Sequence, residues 1–66
     1  MERLLTIKEA AQILRLGRSR IYELLADREI FARRIGRRTV IPASEIARFV
    51  ANLPEYQANK TRHQPE

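Results

Sequence analysis

Eight arginines crowd the stretch from Arg15 to Arg38, namely Arg15, Arg18, Arg20, Arg28, Arg33, Arg34, Arg37 and Arg38, and only Glu23, Asp27 and Glu29 oppose them there. That window carries the whole net charge of +5, and the rest of the chain is neutral by count. The use of arginine alone has a chemical consequence. Its planar guanidinium can grip a phosphate, or the edge of a guanine, through two parallel hydrogen bonds. A charge run can simply solvate a surface. Concentration of the entire excess in one window points instead to a polyanionic partner.

The other groups able to do chemistry do not converge. The one histidine, His63, lies near the C-terminus, there is no cysteine, and no histidine and carboxylates are spaced to ligate a metal. Gly17 and Gly36 are the only glycines, too few for a phosphate-cradling loop. Glu9, Glu23, Asp27 and Glu29 read as helix-face carboxylates pairing with nearby arginines. The expectation is a protein with no catalytic residues, metal, cofactor or small-molecule ligand. Lack of cysteine excludes a disulfide framework. The N-terminus turns polar before any apolar run could serve as a signal-peptide core, and no stretch reaches membrane-spanning length, so a cytoplasmic protein is expected.

The elements that would position the arginines are legible in the apolar spacing. At 66 residues the chain has room for one small domain. Thr6 and Glu9 have capping-box spacing, which predicts a helix starting at Ile7, with Ile7, Ala10, Ala11 and Leu14 as its inner stripe. Gly17 interrupts that pattern, with Leu16 as a buried turn residue. Ile21, Leu24 and Leu25 then give a second helix over Arg18 to Asp27. Two short helices about a glycine-containing turn form a helix-turn-helix. With Ile21, Leu24 and Leu25 inward, Ser19 and Glu23 point outward and Arg20 and Tyr22 flank them. Arg18 can reach forward past a helix N-terminus that itself favours phosphate.

Beyond Ile30 the period shortens. Phe31 to Ile35 and Arg38 to Ile41 read as two strands about Gly36-Arg37, a basic hairpin. A two-residue loop and a three-residue loop ending at Arg38 would place Arg38 on opposite faces, and the sequence leaves both open. Pro42 introduces a third helix over Ala43 to Asn52, with Ile46, Phe49, Val50 and Leu53 as its core stripe. Pro54 ends it. Residues 54–66 read as a disordered polar tail, following a folded domain over residues 1–53. The fold class is therefore mainly α with a small β-hairpin, a winged helix-turn-helix of three helices plus a two-stranded wing. With only Tyr22, Phe31, Phe49 and Tyr56 as aromatics, a base-stacking platform for single strands is poorly supplied, and double-stranded DNA fits better. Tyr22 could pack beside the helices with its hydroxyl on a phosphate, or be a half-buried aromatic.

The runs Leu5 to Leu14, Arg18-Ser19-Arg20-Ile21-Tyr22, Arg34 to Arg38, Ile41-Pro42 and Glu45-Ile46 resemble the excisionase-type winged helix-turn-helix of the MerR superfamily. The resemblance covers about Leu4 to Leu53. It implies that the helix starting at Arg18 enters the major groove, with Arg18, Ser19, Arg20, Tyr22 and Glu23 as the reading residues. Arg33, Arg34, Arg37 and Arg38 form a wing on the backbone or adjacent minor groove. Thr6, Lys8 and Arg15 are candidate contacts to the DNA backbone. Gly17 stands where a capping serine is common. The function implied is that of an excisionase, a recombination directionality factor working architecturally with a site-specific recombinase and binding DNA cooperatively. The tail, through Tyr56, Lys60 and Arg62, could touch the recombinase or a neighbouring protomer. Alternatives are a small transcription regulator on the same fold and a protein-interaction adaptor. Glu23 either accepts from a cytosine amino group or pairs with Arg20, the second being favoured.

Overall fold

The computed structural model describes residues 1–56, which run β1(Leu4–Leu5), α1(Ile7–Leu14), α2(Arg18–Ala26), β2(Arg33–Ile35), β3(Arg38–Pro42) and α3(Ala43–Ala51). The three helices and basic hairpin are those that the spacing predicts. The expected tail lies outside the described residues except for Pro54–Tyr56, which are exposed and belong to no helix or strand.

Each helix begins for a local reason. The α1 start is a complete capping box. Glu9 N–H donates to Thr6 Oγ1 at 3.0 Å, and Thr6 N–H donates to Glu9 Oε1 at 2.9 Å, so two backbone donors are satisfied reciprocally. Glu9 is thereby bound to the backbone and not to an arginine, as its place on the helix face had suggested. The α2 start has no such aid, because Gly17 at its N-cap offers no side chain. The free N–H groups of α3 are capped by the distant N-terminal segment. Arg3 accepts from Ala43 N–H at 2.8 Å, and Glu2 accepts from Ser44 N–H at 2.7 Å.

One core joins nearly every element. Leu5 from β1, Ile7, Ala10 and Ala11 from α1, Ile21 and Leu24 from α2, Ile30 from the connection, Ile41 from β3 and Ile46 from α3 are all buried and in contact. Paired alanines on α1 leave room for a neighbour to approach closely, and Leu14, Leu16, Leu25 and Phe49 complete the shell half-buried. Neither β2 nor its turn contributes a buried residue. The strands of the hairpin therefore meet the core through β3, at Val40 and Ile41.

The sheet has three antiparallel strands in the order β1-β3-β2, where the hairpin pattern predicted two. Leu4 and Leu5 pair with Pro42 and Ile41. A two-residue strand has no periodicity to read. The expected first wing strand also begins two residues late, at Arg33, because Phe31 N–H is taken by the Glu45 carboxylate. Helix α3 ends at Ala51, and Val50 and Leu53 are each 49% exposed, contrary to their expected place in the core. The core reaches only as far as Ile46 and Phe49, and Leu53 lies beyond the last helical turn. Among the described residues no helix is long and apolar enough to cross a membrane.

Candidate nucleic-acid interface

Burial of Ile21 and Leu24 fixes the rotation of α2, and the turn of Arg15 to Gly17 fixes its angle to α1. Arg18, Ser19, Arg20, Tyr22 and Glu23 are consequently all exposed. Ser19 and Glu23 occupy the middle of the outward face. Arg20 lies to one side of it, its stem along a groove that α2 shares with Phe49 and Leu53 of the α3 end. Its guanidinium donates to Glu23 Oε1 at 2.8 Å. Tyr22 is 54% exposed, so its ring stands at the surface and does not close the core. The uncapped first turn of α2 presents backbone N–H groups, which attract anions.

Of the candidate backbone contacts, Thr6 and Lys8 sit at the start of α1, and Arg15 sits in the turn just before α2. Lys8 and Arg15 are exposed. The Thr6 hydroxyl oxygen accepts from Glu9 N–H, which leaves its own proton free to donate outward.

The hairpin register resolves the open choice of loop. Ile35 pairs with Arg38, Arg34 with Thr39 and Arg33 with Val40, so the loop is the two residues Gly36-Arg37. Gly36 has φ +59° while Arg37 does not have a positive φ, which is the sign pattern of the type II′ hairpin turn. With side chains alternating along each strand, Arg33 and Arg38 share one face, Arg34 takes the other, and Arg37 stands at the tip. All four are exposed, and their one side-chain hydrogen bond among the described residues is a long one of 3.5 Å from Arg34 to the Gly36 carbonyl. The ribbon is basic on both faces and at its end.

A cluster unmarked by the sequence reading sets how wing and reading helix stand to one another. Arg48 of α3 donates to the Glu29 carbonyl at 3.1 Å and to Glu45 Oε1 at 2.8 Å, and lies 5.8 Å from the centroid of the Phe31 ring. Glu45 Oε1 also accepts from Phe31 N–H at 3.2 Å. Helix α3 thus clasps the connection from α2 to β2 at Glu29 and Phe31. The Arg48 guanidinium, helped by the Phe31 N–H, holds the Glu45 carboxyl below the ordinary carboxylate range, and Glu45 in turn raises Arg48. Ser44, through its hydroxyl and then its backbone N–H, lowers Glu2 likewise. The i,i+3 spacing of Glu45 and Arg48 was the available signal for this clasp.

Of the eight arginines in the basic window, Arg20 alone forms an ion pair among the described residues. The positive surface is left uncompensated within the domain. Residues 4–54 match the family model described as "Helix-turn-helix domain". The chain is also 46% identical over 55 residues to a protein of Saccharopolyspora erythraea named "Probable excisionase", an alignment covering 83% of this chain. The chain spans about half, 56%, of that curated relative's length. No solved structure matches it.

Proposed function

As the chain belongs to the helix-turn-helix domain family, we propose that it binds double-stranded DNA sequence-specifically, with α2 in the major groove and the β2–β3 hairpin as a wing. The observation that carries this is the row of exposed arginines, beginning before α2 and ending beyond the wing turn, of which only Arg20 forms an ion pair among the described residues. Salt bridges would have consumed such charge had its role been to hold the fold. A ribbon basic on both faces suits edge-on entry between two walls of phosphate. Arg18, Ser19, Arg20, Tyr22 and Glu23 form the reading surface. Arg33, Arg34, Arg37 and Arg38 grip the backbone, as do Thr6, Lys8 and Arg15.

The biological role in this reading is excision. The chain acts as an architectural, non-catalytic factor beside a site-specific recombinase, within an excisionase-type group that resembles the MerR superfamily. The named relative supports this role. Fluorescence anisotropy with labelled duplex and single-stranded DNA tests the first half. Duplex should bind more tightly, and log K should fall with log salt by about 0.9 for each phosphate neutralised. Absence of duplex binding at low salt contradicts it. An excision assay with a recombinase encoded beside this chain tests the second half. Stimulation is expected, whereas promoter repression without stimulation would move the role to transcription control.

A further inference from the structure

Three described residues have positive φ: Arg15 at 59°, Arg28 at 61° and Gly36 at 59°. A left-handed backbone is costly for any residue with a Cβ, and only the wing turn uses glycine to avoid the cost. Arg15 and Arg28 occupy equivalent places. After α1, Arg15 N–H bonds to the Gln12 carbonyl at 3.2 Å and Leu16 N–H to the Ala11 carbonyl at 2.9 Å. After α2, Arg28 N–H bonds to the Leu25 carbonyl at 3.2 Å and Glu29 N–H to the Leu24 carbonyl at 2.9 Å. Both are Schellman endings, whose left-handed position is usually filled by glycine.

Among the described residues, no side-chain bond rewards the arginines for this strain. Both side chains are exposed, and neither makes a side-chain hydrogen bond or ion pair among the described residues. The attraction of a cation to a helix C-terminus is weaker than the left-handed penalty. Glu29, next to Arg28, turns toward α3, where it lines a groove with Arg48 and Asn52.

Their placement supplies a reason. Arg15 lies three residues before the start of α2 at Arg18, and Arg28 lies two residues after its end at Ala26. The nine residues of α2 make a helix about 13 Å long, and the major groove of B-DNA is about 12 Å wide. A helix of that length seated in the groove has its two ends at opposite phosphate walls. We propose that Arg15 and Arg28 are paired phosphate anchors, one at each end of the reading helix, each keeping a guanidinium where the backbone would favour glycine. The proposal rests on the DNA-binding reading above, and it makes Arg28 a DNA contact that the sequence reading did not single out.

The test pairs thermal melting with the salt dependence of binding to a random-sequence duplex, using the full chain and the variants R15G, R28G, R15K and R28K. Each glycine variant should melt a few degrees higher than wild type through relief of strain, yet its log–log salt slope should be shallower by about 0.9. Its affinity deficit should then shrink about 3.5-fold between about 50 and about 200 mM salt. The lysine variants should keep the wild-type slope. Higher melting with an unchanged slope overturns the proposal, as does lower melting in the glycine variants. If wing-arginine variants lower the slope while R15G and R28G do not, this proposal alone fails. If the wild type does not bind duplex DNA, the functional reading fails with it.

Discussion

Replacing Glu23 with Gln separates two roles that one carboxylate on the reading face could have. In the free protein Glu23 holds Arg20 at 2.8 Å, with the two side chains 60% and 56% exposed. An i,i+3 pair so open to water contributes about 0.2–0.5 kcal/mol. Its loss should therefore lower the melting temperature by no more than about 4 °C in a domain of this size. On DNA the effect should have the opposite sign. Arg20 no longer has to leave a carboxylate before meeting phosphate or guanine, and a negative charge disappears from the surface that approaches the duplex. Release of about 0.4 kcal/mol corresponds to about twofold tighter binding, and removal of the charge adds to it. Fluorescence anisotropy should be run on two labelled duplexes, one of random sequence and one selected by the wild-type protein from a random pool. Both should bind E23Q more tightly, by similar factors. A tenfold loss confined to the selected duplex would refute this reasoning, since it would mean that Glu23 accepts a hydrogen bond from a cytosine amino group.

Changing Arg33, Arg34, Arg37 and Arg38 together to Gln should reduce the log–log salt slope on random duplex by up to about 3.6 while leaving thermal melting nearly unchanged, because none forms an ion pair among the described residues; an unchanged slope removes the wing from the interface. Ile30→Ala empties a fully buried site at a cost of about 2–5 kcal/mol, comparable to the ~3–5 kcal/mol that a core of this size supplies. Circular dichroism should show no cooperative melt, and a transition within a few degrees of wild type would disprove the site's weight in the core. Glu45 has a lowered carboxyl pKa through Arg48, so its stabilising contribution is present above the unfolded carboxylate pKa and is lost as pH falls through the folded one. Wild type should therefore melt above Glu45→Gln at neutral pH, with the two curves converging below about pH 4, and a gap independent of pH would exclude the clasp as its source.

The fold was legible wherever a residue pattern repeats or a local motif closes on itself. The capping box at Thr6 and Glu9, the stripe on α1 and the hairpin about Gly36 all depend on neighbours within a few positions, and all are present. Contacts between distant segments had no such signature. Leu4–Leu5 becomes a strand only because β3 lies beside it, Glu2 caps a helix 42 positions away, and Ile30 is buried by tertiary packing alone. For α3 the periodic stripe overstated burial at Val50 and Leu53, since a domain this small runs out of core before the helix ends. The basic surface was visible as charge per segment. Its finer geometry depended on loop length at Gly36-Arg37, which composition leaves free, and on two left-handed residues that no side-chain pattern announces.

Amide chemical-shift mapping by heteronuclear NMR, with unlabelled duplex DNA titrated into isotopically labelled protein, reports the contact surface residue by residue. The largest shifts should fall on Arg18 to Glu23, on Arg33 to Arg38 and on the turn from Arg15 to Gly17, with the exposed Ala47 and Ala51 of α3 unmoved. Shifts gathered on α3 with α2 and the wing unchanged, or no shifts at low salt, would contradict a DNA interface built on the reading helix and its basic wing.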